Sequence, residues 1–593
     1  MPSVDLQDST RASTNAPSAS LTRGRLVSLG VWAGFVSGLA EGVAHAIARG
    51  VPTIQSPYKV SLDVVWIAPL VNAVLFGVIA VALWIVALPF RRRLGARVDA
   101  ALVGVLLFGG VAVPALTLKV LYLPSAVLLA LGAAVVITRA NAPRLIAASS
   151  TMSRRAVMLP IAVCCLALAI KGVVRLKERR VIGALPTVAQ GARNVVILVL
   201  DTVRRDRFAH ADGSSLTPNI DRFASQGTWY ANAWSTTSWS LPSQASILTG
   251  QHPFAHGADW PGIGMKAAVS TLPEFLAARG YATGAFSGNV AWIVPEHLGR
   301  GFARFEAYRP IDIIRRIAAY RVAQPVIEAL GYRDSGYGKQ APQVREQLLD
   351  FVDGHRDRPF FAYVCLMDVN QSFHRRKLSH PAWTPEPPAR DIMAAYDSAL
   401  RQVDVEVNTI FEALRSRGVL DNTVVVIVSD HGESFGAEQT DDHNPIGHGT
   451  SLYPEQTRVP MWVILPPGER AAATIEQPVS IRAIAATITR SLALPDSGVF
   501  GAPLPVVRAG DAAPARDSAA TALLTLRYAG RHDDAIVRAP FFLFRKGSET
   551  GKPTEFYDLA ADPLAKRPLP ADARSSALAA LMDAQLPPPT GKP

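Results

Sequence analysis

The chain changes character near residue 180. Before it, five apolar runs (residues 26–48, 64–90, 100–118, 121–138 and 156–174) are long enough to cross ~30 Å of hydrocarbon as helices. Only Lys119 and Val120 separate the third run from the fourth, which predicts a tight helical hairpin. From Asn194 onward the pattern is different. Residues 195–200, 360–366 and 424–428 are continuous aliphatic, aromatic and β-branched runs, as in strands buried on both faces. Helical patterns at 272–279 and 394–417 lie among them. Buried strands alternating with helices predict an α/β domain with a mostly parallel sheet flanked by helices, behind an N-terminal bundle of about five transmembrane helices.

Charge supports that division. The 593 residues carry a net +12, but residues 1–180 hold 19 basic and 6 acidic side chains and the remainder 41 and 42. The excess belongs to loops flanking apolar runs, so nucleic acid is excluded as a partner and the lipid bilayer is expected. Arginines cluster at 11–25, 91–97 and 139–155, whereas the alternate connections carry only Arg49, Lys59 and Lys119. That asymmetry predicts a cytoplasmic N-terminus, a multi-pass cell-membrane protein and an extracytoplasmic domain after the fifth run. The expected divisions are a disordered cytoplasmic tail (1–25), a transmembrane region (26–175), a linker (176–193) and a catalytic domain (194–593) with a C-terminal subdomain from about residue 500. Three cysteines, two of them adjacent in an apolar run, offer no disulfide framework. Glu41 and His45 lie one turn apart in the first run and are expected to reach the outer interface.

The buried strands end in polar groups. Asp201 follows the first, Asp368 and Asn370 follow the second, and Asp430, His431, Gly432 and Glu433 follow the third. Ligands of open α/β sheets bind beyond the carboxyl ends of the strands. Asp201, Asp430 and His431 supply oxygen and imidazole donors suited to one divalent ion (Mn, Zn, Ca or Mg). Residues 236–250 place several hydroxyls, Ser240 among them, ahead of a short helical pattern. Backbone N–H groups and the dipole favour an anion there, although serine also caps helices.

In order along the chain, residues 194–201, 216–224, 241–250, 271–280, 285–289, 429–433, 447–453, 458–460 and 555–563 resemble the sulfatase family of the alkaline-phosphatase superfamily. The resemblance implies that Asp201, Asp430 and His431 ligate the metal together with Ser240, the nucleophile. It also implies that His448 contacts the substrate anion or the leaving group. Four positions depart from the family pattern. Thr202 replaces the second aspartate of a pair, Gln244 an arginine, Asn289 a substrate-side lysine and Asn370 a histidine near Asp368. His374 is the candidate stand-in for that histidine, and Asn289, Asn370 and His374 are the expected substrate-side residues.

In the family the arginine belongs to the signal for converting the nucleophile to formylglycine. Gln244 therefore implies an unmodified Ser240, as in members that hydrolyse or transfer phosphate esters. The expected substrate is a phosphate or sulfate ester, lipid-linked or part of a cell-envelope glycan. A genuine sulfuric ester hydrolase is the alternative, and a non-catalytic outer binding domain is the rival reading that the departures suggest.

Overall fold

A computed structural model of the protein describes residues 21–587 apart from 49–60, 118–121, 156–157, 189–190, 209–214, 316, 330–337, 372–388, 437–445, 496–497, 513, 529 and 548–553. It divides into two units. One joins the described residues up to Val174 with those of Pro310–Tyr332, and the other holds Arg175–Arg309 and Arg333–Pro593.

The first unit is built from α1 (Arg23–Ala48), α2 (Val64–Leu94), α3 (Ala96–Thr117), α4 (Leu123–Arg155) and the start of α5 (Met158–Gly183). Among the described residues four helices, α1 to α4, are long and apolar enough to cross a membrane. The fifth expected run falls on α5, with residues 156–157 outside the described set. Val74, Val78, Ile85 and Val86 are exposed on α2, an arrangement that suits lipid better than water. Gly30, Gly34, Gly38 and Gly42 recur every fourth residue on α1 and face α2. A Cβ on Gly34 would lie 2.2 Å from the Asn72 carbonyl oxygen, and one on Gly38 2.4 Å from that of Ala68. Only glycine allows this backbone approach, a close packing of the kind that holds helices together in proteins that cross membranes.

Glu41 does not reach the interface. It is fully buried, and its carboxylate accepts from Asn72 Nδ2 (2.9 Å), Thr117 Oγ1 (3.2 Å) and the backbone N–H of Ala318 (2.6 Å). Three donors replace the water that snorkelling would have supplied, so the charge can stay inside the unit. Ala318 begins the helix Ala318–Ala329, part of an excursion that leaves the second unit at residue 309. Ile313 and Ile317 of the excursion pack with Val64, Ile67 and Ala68 of α2.

The second unit is centred on an eight-stranded sheet: β1 (Asn194–Leu200), β2 (Thr228–Tyr230), β3 (Ala282–Ser287), β4 (Arg304–Glu306), β5 (Phe360–Leu366), β6 (Thr423–Val428), β7 (Met461–Ile464) and β8 (Ala473–Ile475). The order is β8-β2-β7-β6-β1-β5-β3-β4, with β7 alone antiparallel to its neighbours. On β1, Val195, Ile197 and Val199 face one core while Val196, Leu198 and Leu200 face the other. That double burial explains the unbroken aliphatic run, each side chain contributing roughly 1.5–3 kcal/mol. A charge introduced at Ile197 would be buried without a partner.

A four-stranded antiparallel sheet spans residues 522–558, and Leu578 and Met582 of the helix Ala573–Gln585 cover its outer face. Leu524, Ala535, Phe542 and Tyr557 on its inner face join the main core, so this part of the expected C-terminal subdomain shares the central core.

Candidate active site

The ends of β1, β5 and β6 converge. Asp201, Asp430 and His431 are fully buried, and their candidate ligand atoms lie within 4.8 Å of one another. The register brings them together, since Val199 pairs with Val428 and Leu200 with Leu366. Ser240 opens the helix Ser240–Thr249 after the extended Trp239. Its Oγ lies 3.1 Å from His431 Nε2 and 3.4 Å from Asn289 Nδ2. His431 Nδ1 sits 2.9 Å from the Gly432 carbonyl oxygen. A carbonyl only accepts, so Nδ1 carries the proton and Nε2 turns its lone pair toward Ser240. Gly432 is required here, because a Cβ would lie 2.0 Å from the Glu455 carbonyl oxygen.

Neutral donors surround the two carboxylates. Asn289 Nδ2 donates to Asp201 Oδ2 and Asn370 Nδ2 to Asp201 Oδ1, both at 3.0 Å. Gln244 Nε2 donates to Asp430 Oδ2 (2.7 Å), and the Thr202 backbone N–H to Asp430 Oδ1 (3.2 Å). Two of the amide orientations are held from behind. Asn289 Oδ1 accepts from the N–H groups of Ala291 and Trp292, and Gln244 Oε1 from the Tyr363 hydroxyl (2.9 Å). Asn289 and Asn370 therefore touch Asp201, and Asn289 also approaches Ser240. His374 lies outside the described residues, as do Asp441, Asp442 and His443.

Thr202 has φ 65°, a left-handed conformation that is strained for a β-branched residue. Its side chain donates to the Asp201 carbonyl and its own carbonyl accepts from Tyr396, so the position supplies a backbone donor where the family pattern has a carboxylate.

These neutral donors leave the pair short of positive charge. Burial pushes Asp201 up to about 6, with Asp430 adding repulsion, and burial likewise pushes Asp430 up to about 6. Burial lowers His431 to about 4, which keeps its ring neutral. Two buried carboxylates and a neutral imidazole with an available lone pair fit a divalent cation. Asn370 Oδ1, buried with no hydrogen-bond partner among the described residues, adds a further oxygen.

His448 completes the cluster. Its ring lies over His431 at 4.6 Å between centroids, and its Nδ1 is 3.0 Å from Glu433 Oε2. Burial alone would lower His448, but the Glu433 carboxylate outweighs it and raises the imidazole to about 9. Sequence reasoning passed over Glu433 as a site residue. Its signal was an acidic residue two positions beyond His431 on the same loop.

Residues 193–492 match the sulfatase family model, half of the chain. The chain belongs to the sulfatase family. It is similar to N-sulphoglucosamine sulphohydrolase of Homo sapiens, 25% identical over 382 residues that cover 58% of this chain and 66% of that protein. It is also similar to an ulvan-active sulfatase of Formosa agariphila, 24% identical over 62% of this chain and 75% of that one. A Bacteroides thetaiotaomicron protein solved as a candidate sulfatase shares the sulfatase fold, with a TM-score of 0.51, 18% identity, and coverage of 66% of this chain and 91% of that one. The chain thus spans just under two thirds of the human relative's length.

Proposed function

We propose that the protein is a membrane-anchored, metal-dependent hydrolase or transferase that acts on a phosphate ester through a covalent intermediate on unmodified Ser240. The observation that carries this reading is Gln244. It stands where the sulfatase maturation signal has an arginine, and its amide is committed to Asp430 and Tyr363. Asp201, Asp430, His431 and Ser240 would hold the ion, which when bound makes the serine hydroxyl more acidic and offsets charge on a non-bridging oxygen.

The chain's own groups supply the rest. The N-terminal end of the helix Ser240–Thr249 favours the ionised serine oxygen. Ser240 attacks phosphorus in line as the alkoxide, its proton having gone to bulk water. His448, cationic below about pH 9, donates its Nε2 proton to the departing oxygen. Asn289, 3.4 Å from Ser240 Oγ, is a neutral donor toward the nucleophile, and Asn370 and His374 are the remaining substrate-side candidates. Water or an acceptor alcohol then releases the phosphoryl group. We place the catalytic unit (194–593) outside the cell membrane on the arginine asymmetry of the loops, with the apolar first part of α5 as a fifth crossing beyond the four helices α1 to α4.

A sulfate ester is the second reading, favoured by the sulfatase names of the relatives. Ser240→Ala in the full chain tests the shared core of both readings. Turnover of 4-nitrophenyl phosphate and of the corresponding sulfate should fall at least about 1,000-fold while the melting temperature is kept. Retained turnover would remove Ser240 from the chemistry.

A further inference from the structure

We propose that Glu433 is a positioning residue for His448, and that this pair sets which leaving groups the enzyme can expel. The inference rests on the reading of Ser240 as nucleophile and His448 as donor.

The loop carrying His448 is pinned on both sides. Gly447 and Ser434 exchange two backbone hydrogen bonds (2.9 and 3.0 Å), and the Gly449 N–H donates to the Ser238 carbonyl (2.7 Å). One tie is next to Glu433 in sequence and the other two residues before Ser240. Both flanking glycines have positive φ, 124° and 69°, so the turn is built to present the residue between them. Backbone ties of this kind leave the side-chain torsions open. The Glu433 carboxylate closes that freedom by accepting from Nδ1, which fixes the direction in which Nε2 points.

Glu433 is itself held. It is fully buried, its N–H donates to the Glu455 carbonyl (3.0 Å), and its carbonyl accepts from Nη1 of the buried Arg204 (3.1 Å). Its Oε1 is buried with no hydrogen-bond partner among the described residues, so the imidazole is the one described group the carboxylate engages. A carboxylate so enclosed costs free energy unless it serves a neighbour.

In the step served, the Ser240 oxygen forms its bond to phosphorus and the ester P–O bond breaks. The bridging oxygen takes the electron pair together with the Nε2 proton of His448. The alcohol leaves neutral, and His448 stays behind neutral with Nδ1–H on Glu433. An alkoxide needs that proton and a nitrophenolate does not, so the contribution of the pair grows with the basicity of the leaving group.

The test is the rate ratio between an alkyl and a 4-nitrophenyl ester of the same acid, measured on one preparation of the full chain so that the folded fraction cancels. Glu433→Gln should lower kcat on the alkyl ester at least about 100-fold and on the nitrophenyl ester less than about fivefold. Glu433→Asp should recover part of the alkyl rate. In a His448→Ala background, Glu433→Gln should add no further loss. Equal losses on both esters, or losses that add to those of His448→Ala, would overturn the proposal and leave Glu433 a structural residue. A wild-type protein inert on every ester would instead defeat the catalytic reading beneath it.

Discussion

Ion affinity at the Asp201–Asp430–His431 cluster should depend on pH in a range where ordinary carboxylates do not. A carboxylate binds an ion only when ionised, so affinity is complete above its folded pKa and is lost as pH falls through it. Asp201 and Asp430 are both raised to about 6 by burial among neutral donors. At pH 5 each is then about 10:1 protonated in the ion-free protein, and every proton that must leave weakens binding about tenfold. The Kd for Mn²⁺ or Ca²⁺ should rise between about 10-fold (one proton displaced) and about 100-fold (two) from pH 7.5 to pH 5. Carboxylates with the usual value of 3.8 would change it by less than about twofold. His431, lowered to about 4, stays neutral throughout and adds nothing. Titration calorimetry on the full chain in detergent, repeated in buffers of different ionisation enthalpy, gives both the Kd and the number of protons released. A Kd flat between pH 5 and 7.5 would refute the reasoning, as would proton release confined to pH above 7.

Two further outcomes follow from the geometry. Because Glu433 holds His448 protonated to about pH 9, kcat/KM on a poor leaving group should be maintained through pH 8 and fall as pH rises through about 9; a fall centred near 6.5 would mean the pair is not formed in solution. Glu41→Ala leaves the Asn72 amide and the Ala318 N–H without their buried acceptor at roughly 1–3 kcal/mol each, while Thr117 keeps the Val113 carbonyl, so trypsin should cut after Arg315 many times faster than in the wild type, and unchanged cleavage would mean that Glu41 does not hold the excursion.

What could be read without coordinates follows from burial. β1, β5 and β6 are buried on both faces, so their aliphatic runs mark them within a residue at either end. β3 reads Ala-Thr-Gly-Ala-Phe-Ser, too small and polar to stand out, and is a strand because it pairs in register with β5. The metal cluster was legible because strand ends are adjacent in sequence to runs already recognised. The contact of Glu433 with His448 was not, since they are 15 positions apart in sequence and a backbone bridge brings them together. Thr202 looked like a lost ligand, whereas its left-handed backbone turns its N–H onto Asp430. The glycines of α1 carry a period of four that matters only against a partner helix, and the membership of residues 310–329 in the first unit depends on contacts distant in sequence.

The central claim is the identity of residue 240 during turnover. Peptide mass analysis of the wild type, quenched while hydrolysing a phosphate ester, tests it most directly. The account predicts that Ser240 is found partly phosphorylated and otherwise as plain serine. A residue about 2 Da lighter than serine at that position, with turnover of a sulfate ester, would contradict it.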